Sequence, residues 1–192
     1  MVNHVKYDRN AVIEKATHLF WQKGFHATSM RNLQDHIDMR PGSIYSAFGS
    51  KEGLFKLSLQ AYTESTLASL MAATQSTDSP LTALKRFMIA VVNGGREDPS
   101  ELCMLVKAVA ELTDDNAELL AEARTQLKRL EAAFTLILQQ AQALGEISAC
   151  SDCQRLARFL QVQLIGLRAY ARTQTEPGQV DQLVEDALSC LR

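Results

Sequence analysis

Apolar residues recur along this chain at helical spacing almost everywhere, and no stretch sustains the two-residue alternation of a strand. From about residue 8 to 23, Val12, Ala16, Leu19 and Phe20 fall at i, i+4, i+7 and i+8 and make one apolar face. Asp8 precedes that face as an N-cap, and Gly24 follows it as a stop. A second, short helix is predicted to start at Thr28 or Ser29, with Met30, Leu33 and Ile37 as its inner side. Asp38 and Met39 form a turn. A third helix opens at Pro41, where a missing N–H costs nothing at the first helical position, and it turns Ile44 and Phe48 inward. Gly49 and Ser50 break the chain, and Ser50 caps a fourth helix from Lys51. Longer helices are predicted over 51–75, 80–93, 101–112, 115–143, 152–173 and 178–191. The breaks between them are Ser76 to Pro80, Gly94 to Pro99, Thr113-Asp114, Gly145 to Ser151 and Glu176-Pro177-Gly178.

Residues 28–48 thus have helix-turn-helix spacing, in which the second helix lies in the DNA major groove and the first crosses the backbone. With Ile44 and Phe48 inward, Arg40, Ser43, Ser46 and Ala47 remain on or near the outer face. Small residues there allow close approach to base edges, and an arginine at the helix start can pair with guanine or phosphate. Tyr45 and Lys51 flank the helix within reach of phosphates. The same pattern also suits three short capped helices packing a small core.

Charge adds modest support. The chain carries a net charge of -2, but residues 1–56 hold eight Lys or Arg against five Asp or Glu, and all four His. The excess of acid lies beyond residue 56, as expected of a basic reading head on an acidic body. No apolar run approaches the ~20 residues that cross a bilayer. The polar start, 1–9, lacks the apolar stretch of a signal peptide, so a cytoplasmic location is expected. Cys103, Cys150, Cys153 and Cys190 are not expected to form a disulfide framework in such a chain. No phosphate-binding loop, dinucleotide fingerprint, zinc-protease motif or nucleophile elbow is present, which argues against an enzyme; no cofactor and no catalytic residue are assigned.

The run from Gly24-Phe25-His26-Ala27-Thr28-Ser29 to Leu33, followed by Gly42-Ser43-Ile44-Tyr45-Ser46-Ala47-Phe48 and Lys51-Glu52-Gly53-Leu54, resembles the N-terminal domain of the TetR family of transcriptional regulators. The resemblance covers about residues 8–56. Gln34, Asp38, Arg40 and Ala47 depart from the family pattern, and Arg40 and Ala47 do so on the reading helix. The resemblance implies an all-α protein: a three-helix head over 1–50, joined to a larger ligand-binding and dimerising body over 51–192. It implies a repressor on palindromic double-stranded DNA, with an activator of the same fold, or a helical interaction protein without DNA, as the alternatives. Thr28, Ser29, Arg31, Tyr45 and Lys51 would meet the backbone; Arg40, Pro41, Ser43 and Ser46 would lie nearest the bases. Trp21 reads as a packing residue.

The resemblance also implies a homodimer built by the last two helices. Leu160, Leu164 and Leu167, with Leu183, Val184 and Leu188, form stripes that suit it, although such stripes could equally pack within one subunit. An effector site is implied among the middle helices, where Phe87, Met88, Val91, Met104, Lys107, Ala108, Phe134 and Ile137 are candidates that otherwise read as core. Cys103 stands at a helix start with Lys107 one turn on, an arrangement in which backbone amides and an ammonium favour a thiolate. The segment Leu102 to Lys107, with Glu111-Leu112, resembles the NemR-like, electrophile-sensing subgroup of the family, so the effector is expected to be a small molecule or an electrophile. An inert buried thiol fits the same residues. Cys150 and Cys153 have the spacing of a redox pair or half a zinc site; no second Cys/His pair follows, so no metal is expected.

Overall fold

The computed structural model describes residues 7–94, 99, 100, 102–173, 176 and 178–191. Nine α-helices run through them: α1 (Arg9–Lys23), α2 (Met30–Ile37), α3 (Pro41–Phe48), α4 (Lys51–Gln75), α5 (Pro80–Gly94), α6 (Met104–Glu111), α7 (Ala117–Ala143), α8 (Cys153–Tyr170) and α9 (Gln179–Ser189). No strand occurs among the described residues. The fold is all-α, as expected. Several boundaries move by two or three residues: α6 starts at Met104, a 3-10 turn, Asp114–Asn116, precedes α7, α8 ends at Tyr170 and α9 at Ser189. The predicted breaks at 95–98 and at 177, and residue 101 at the predicted start of the sixth helix, lie outside the described residues.

Local chemistry sets the head. Asp8 accepts hydrogen bonds from the Asn10 and Ala11 amides at 2.9 and 3.3 Å. Gly24 ends α1 at φ +87°, ψ 171°, a conformation essentially closed to other residues. Ser29 and Asn32 form a reciprocal capping box on α2. Asp38 takes the left-handed conformation (φ 54°) that ends α2, so an acid does the work usually given to glycine. Pro41 opens α3, and the Ser50 hydroxyl caps α4 at the Gly53 amide, 3.0 Å away.

Packing divides the core into two clusters. One joins α1, α2 and α3 to the first half of α4, α6 and the first half of α7, around Phe20, Phe25, Leu33, Ile44, Phe55 and Leu105. The other joins the end of α4 to α5, the rest of α7, α8 and α9, around Phe87, Met88, Leu138, Leu160 and Val184. Helix α4 runs through both, so head and body share one continuous support.

The proposed dimer stripe is corrected here. Leu160, Leu167, Val184 and Leu188 are buried within their own subunit, at 1%, 8%, 0% and 7% exposure. Helix α9 lies against α5 and α8, and its regular stripe is spent there. Only Leu164 and Leu183 of the six remain half-buried. The large apolar side chains left exposed on α8 are Val162 and Tyr170, with the exposed Gly166 between them.

Candidate nucleic-acid interface and effector cavity

On α3, Ile44 and Phe48 are buried, while Arg40, Pro41, Ser43, Tyr45 and Ser46 are exposed. Ala47 is half-buried against the head core and leaves the outer face. Ser29 and Arg31, at the start of α2, are exposed as expected. Thr28 and Lys51 are not placed for DNA. Thr28 is fully buried, and its hydroxyl donates to the Gly24 carbonyl at 2.6 Å. The Lys51 ammonium donates to the Phe25 and Thr28 carbonyls at 2.9 and 2.8 Å and lies 4.1 Å from the centre of the Phe25 ring. Burial pushes the Lys51 pKa down, against the raising influence of Glu52 and Glu111. Both residues therefore fix the corner between α1 and α2. The family resemblance implies backbone contacts for both, and Lys51 also follows the reading helix in sequence; they are drawn inward because the corner leaves carbonyls that need donors.

The same corner is gripped from the body. Glu111, at the end of α6, accepts the Phe25 amide at 2.6 Å. Lys107, one turn earlier, donates to the Trp21 and Gln22 carbonyls at 3.0 and 2.8 Å, where the α1 dipole favours a cation. The Trp21 indole N–H donates to the Leu102 carbonyl at 2.7 Å. Thus α6 holds the last turn of α1 and Phe25, the second residue beyond it. Trp21 is more than packing: it ties α1 to the segment before α6.

Elsewhere on the head, His18 of α1 and His36 of α2 stack with ring centroids 6.0 Å apart. Burial, with His18, Lys15 and Lys23 nearby, lowers the His36 pKa and favours its neutral form.

A cavity of about 40 Å³ lies in the body. Cys103 before α6, Tyr62 and Thr66 of α4, Phe87 and Val91 of α5, Leu127, Leu130 and Phe134 of α7, and Leu164 and Arg168 of α8 are among its lining. Phe87 and Phe134 meet edge to face at 6.0 Å. The sequence-predicted Phe87, Val91, Cys103 and Phe134 are therefore brought together. Met104 points into the head-side core, and Lys107 is committed to α1, so neither lines the cavity and the ammonium expected beside the thiol is held elsewhere. Tyr62 and Arg168 were missed. Arg168 donates to the Tyr62 hydroxyl at 3.3 Å and lies over the Trp21 ring at 5.4 Å. Burial raises the Tyr62 pKa well above that of an ordinary phenol; the adjacent Cys103 sulfur adds to the rise and Arg168 opposes it. Cys150 is exposed and Cys153 buried, both as free thiols. No group of three or more metal-ligating side chains occurs among the described residues, and no described helix is long and apolar enough to cross a membrane.

Comparisons with known proteins agree with this architecture. Residues 12–57 match the family model of bacterial regulatory proteins, tetR family, and residues 80–186 match the model of the tetracyclin repressor-like C-terminal domain. The chain is 29% identical to the HTH-type transcriptional repressor ComR of Escherichia coli K12 over 192 residues, covering 97% of this chain and 88% of that one. A 50-residue stretch, 26% of this chain and 25% of the relative, is 48% identical to the HTH-type transcriptional repressor BdcR of the same organism. A cysteine variant of the TetR-family regulator CifR, solved with a 26-base-pair operator duplex, superposes with a TM-score of 0.85 at 25% identity, covering 97% of this chain and 98% of that one. The α1–α3 head, its buried inner face and both matched regions make this chain a member of the TetR family of DNA-binding transcriptional regulators.

Proposed function

We propose that the protein is a sequence-specific repressor that binds a palindromic operator as a homodimer in the cytoplasm and lets go when its body cavity is occupied or Cys103 is modified. The observation that carries this reading is the grip of α6 on the α1–α2 corner: Cys103 stands at the N-cap position of α6 and lines the cavity, while Lys107 and Glu111 of the same helix hold the DNA-binding head.

In this reading Ser29, Arg31 and Tyr45 contact phosphates and set register. Arg40, Pro41, Ser43 and Ser46 lie nearest the bases and set sequence choice. Helix α8 supplies the dimer face through Val162, Gly166 and Tyr170, with the half-buried Leu164 and Leu183 at its margin. Residues 1–50 then act as the reading head and 51–192 as the sensing and dimerising body.

The cavity is far smaller than the ~300 Å³ or more of a typical small-molecule site, so an occupant must part its walls. Parting α5, α7 and α8 around Phe87, Phe134 and Arg168 displaces Cys103 and the start of α6. The far end of α6 then carries the head with it. A ligand shifts such an equilibrium only by its difference in affinity between the two states, and ~1.4 kcal/mol is already tenfold.

The test is a mobility-shift assay with the purified protein, labelled DNA from directly upstream of its gene and unlabelled competitor, with and without N-ethylmaleimide. Maleimide adds to the thiol sulfur across its double bond, and the thiol proton passes to the neighbouring carbon. Cys150 and Cys190 are exposed and will also react, so wild type is compared with Cys103→Ser. Wild type is expected to lose the shift on treatment and Cys103→Ser to keep it. Equal behaviour of the two proteins would remove the thiol from the mechanism and leave a non-covalent effector. A wild-type protein that shows no specific shift would overturn repression at that site.

A further inference from the structure

Three glycines in and beside the head differ in what surrounds them. A Cβ on Gly24 would overlap the Glu111 carboxylate, and one on Gly53 would overlap the Phe48 carbonyl. The subunit itself accounts for both. A Cβ on Gly42 would meet nothing within 4 Å. Gly42 lies inside α3 and is exposed, and its φ is not in the left-handed region. Alanine is the better helix former, so neither local conformation nor packing in this subunit calls for glycine at this position.

The position of Gly42 on the helix supplies a reason. Residues two apart are turned by about 160–200° around a helix of 3.6 residues per turn. Gly42 and Ser46 stand two residues before and after the fully buried Ile44, so they form the crest of α3 opposite its anchor. Ser43 and Tyr45 lie to either side, and Arg40 precedes them, all exposed. The crest is the part of a recognition helix that goes deepest into the groove, and here it carries almost no side chain.

We infer that Gly42 is a specificity-determining residue at which the α3 backbone itself makes the closest approach to the base edges, its missing side chain letting Arg40, Ser43 and Ser46 reach them. This inference rests on the DNA-binding reading of α3. A larger residue at 42 lifts the helix out of the groove. Base contacts are short and directional and are lost first, whereas nonspecific binding is chiefly electrostatic and tolerates the displacement.

The experiment measures the affinity of wild type, Gly42→Ala and Gly42→Leu for the upstream duplex and for a scrambled duplex of equal length, by fluorescence anisotropy, together with each protein's thermal midpoint. Gly42→Leu is expected to bind the upstream duplex at least about tenfold more weakly, the scale of one lost base contact, with scrambled-duplex affinity within about twofold of wild type. Gly42→Ala is expected to fall between and to melt no lower than wild type, which separates loss of approach from loss of folding. Operator affinity of Gly42→Leu within about twofold of wild type would overturn the inference alone. Equal losses on both duplexes would overturn it as well, since specificity would then be untouched. Failure of wild type to bind either duplex would overturn this inference and the repressor reading together.

Discussion

Gly24→Ala is expected to lower the thermal midpoint by about 10 °C, the largest effect of any single change considered for this chain. Gly24 ends α1 at φ +87°, ψ 171°, where a side chain costs roughly 1–3 kcal/mol in backbone strain alone. Its new Cβ would also overlap Glu111 Oε2. The carboxylate is the end of a flexible side chain and could swing away, but only by giving up its hydrogen bond to the Phe25 amide. A hydrogen bond to a charged group contributes about 1.5–3 kcal/mol, so the combined loss is about 2.5–6 kcal/mol out of a total stability of ~5–15 kcal/mol. Thermal unfolding followed by circular dichroism checks this. A midpoint within about 2 °C of wild type would show that the corner relaxes at little cost.

Glu111→Ala tests the other side of the same contact. The Phe25 amide lies in the buried corner, with Phe25 itself 3% exposed, and the Glu111 carboxylate is its acceptor. Removing the acceptor leaves a donor out of water, and it also removes an anion that favours the charged form of the partly buried Lys51. Hydrogen exchange at the Phe25 amide is expected to quicken by about 10–100-fold, as that free energy of local opening is lost. Glu111→Gln retains an acceptor oxygen and should recover much of the protection. Exchange is the apt observable because it reports opening of this corner alone, whereas a melting curve averages the whole chain. Unchanged protection in Glu111→Ala would mean that the Glu111 carboxylate does not hold this corner, and any route from cavity to DNA would have to run through Lys107 or elsewhere.

This corner also marks where sequence reading succeeds and where it stops. Helix starts were legible because their chemistry is local: Asp8, Ser29 and Ser50 each bond an amide two or three residues on, and Pro41 opens α3 by its own covalent geometry. The inner faces of α1 to α3 followed from spacing within a few turns. The grip of α6 on the head is different. Glu111 and Phe25 are 86 residues apart, and nothing in the periodicity around either one points to the other. Thr28 and Lys51 differ from expectation for the same reason: the family resemblance implies a DNA contact at each, and the buried carbonyls they satisfy show only in the fold. The stripes of α8 and α9 were legible as apolar faces but not as to which neighbour covers them, and α5 and α7 proved to be among those neighbours. Cys103 was legible as a thiol at a helix start with Lys107 one turn on, and Phe87 and Phe134 as apolar residues of the middle helices, where the family resemblance implies an effector site. Tyr62 and Arg168 reach the same cavity from α4 and α8 and carry no local signal.

The central claim, selective DNA binding by the α1–α3 head, is tested most directly by titrating the purified protein onto the upstream duplex and its scrambled counterpart over a range of salt concentrations. The account predicts tighter binding to the upstream duplex at every salt concentration. It also predicts a steep linear fall of log affinity with log salt, because each phosphate neutralised by a lysine or arginine releases counterions in proportion to the contacts made. Equal affinity for the two duplexes, or affinity that does not respond to salt, would contradict it.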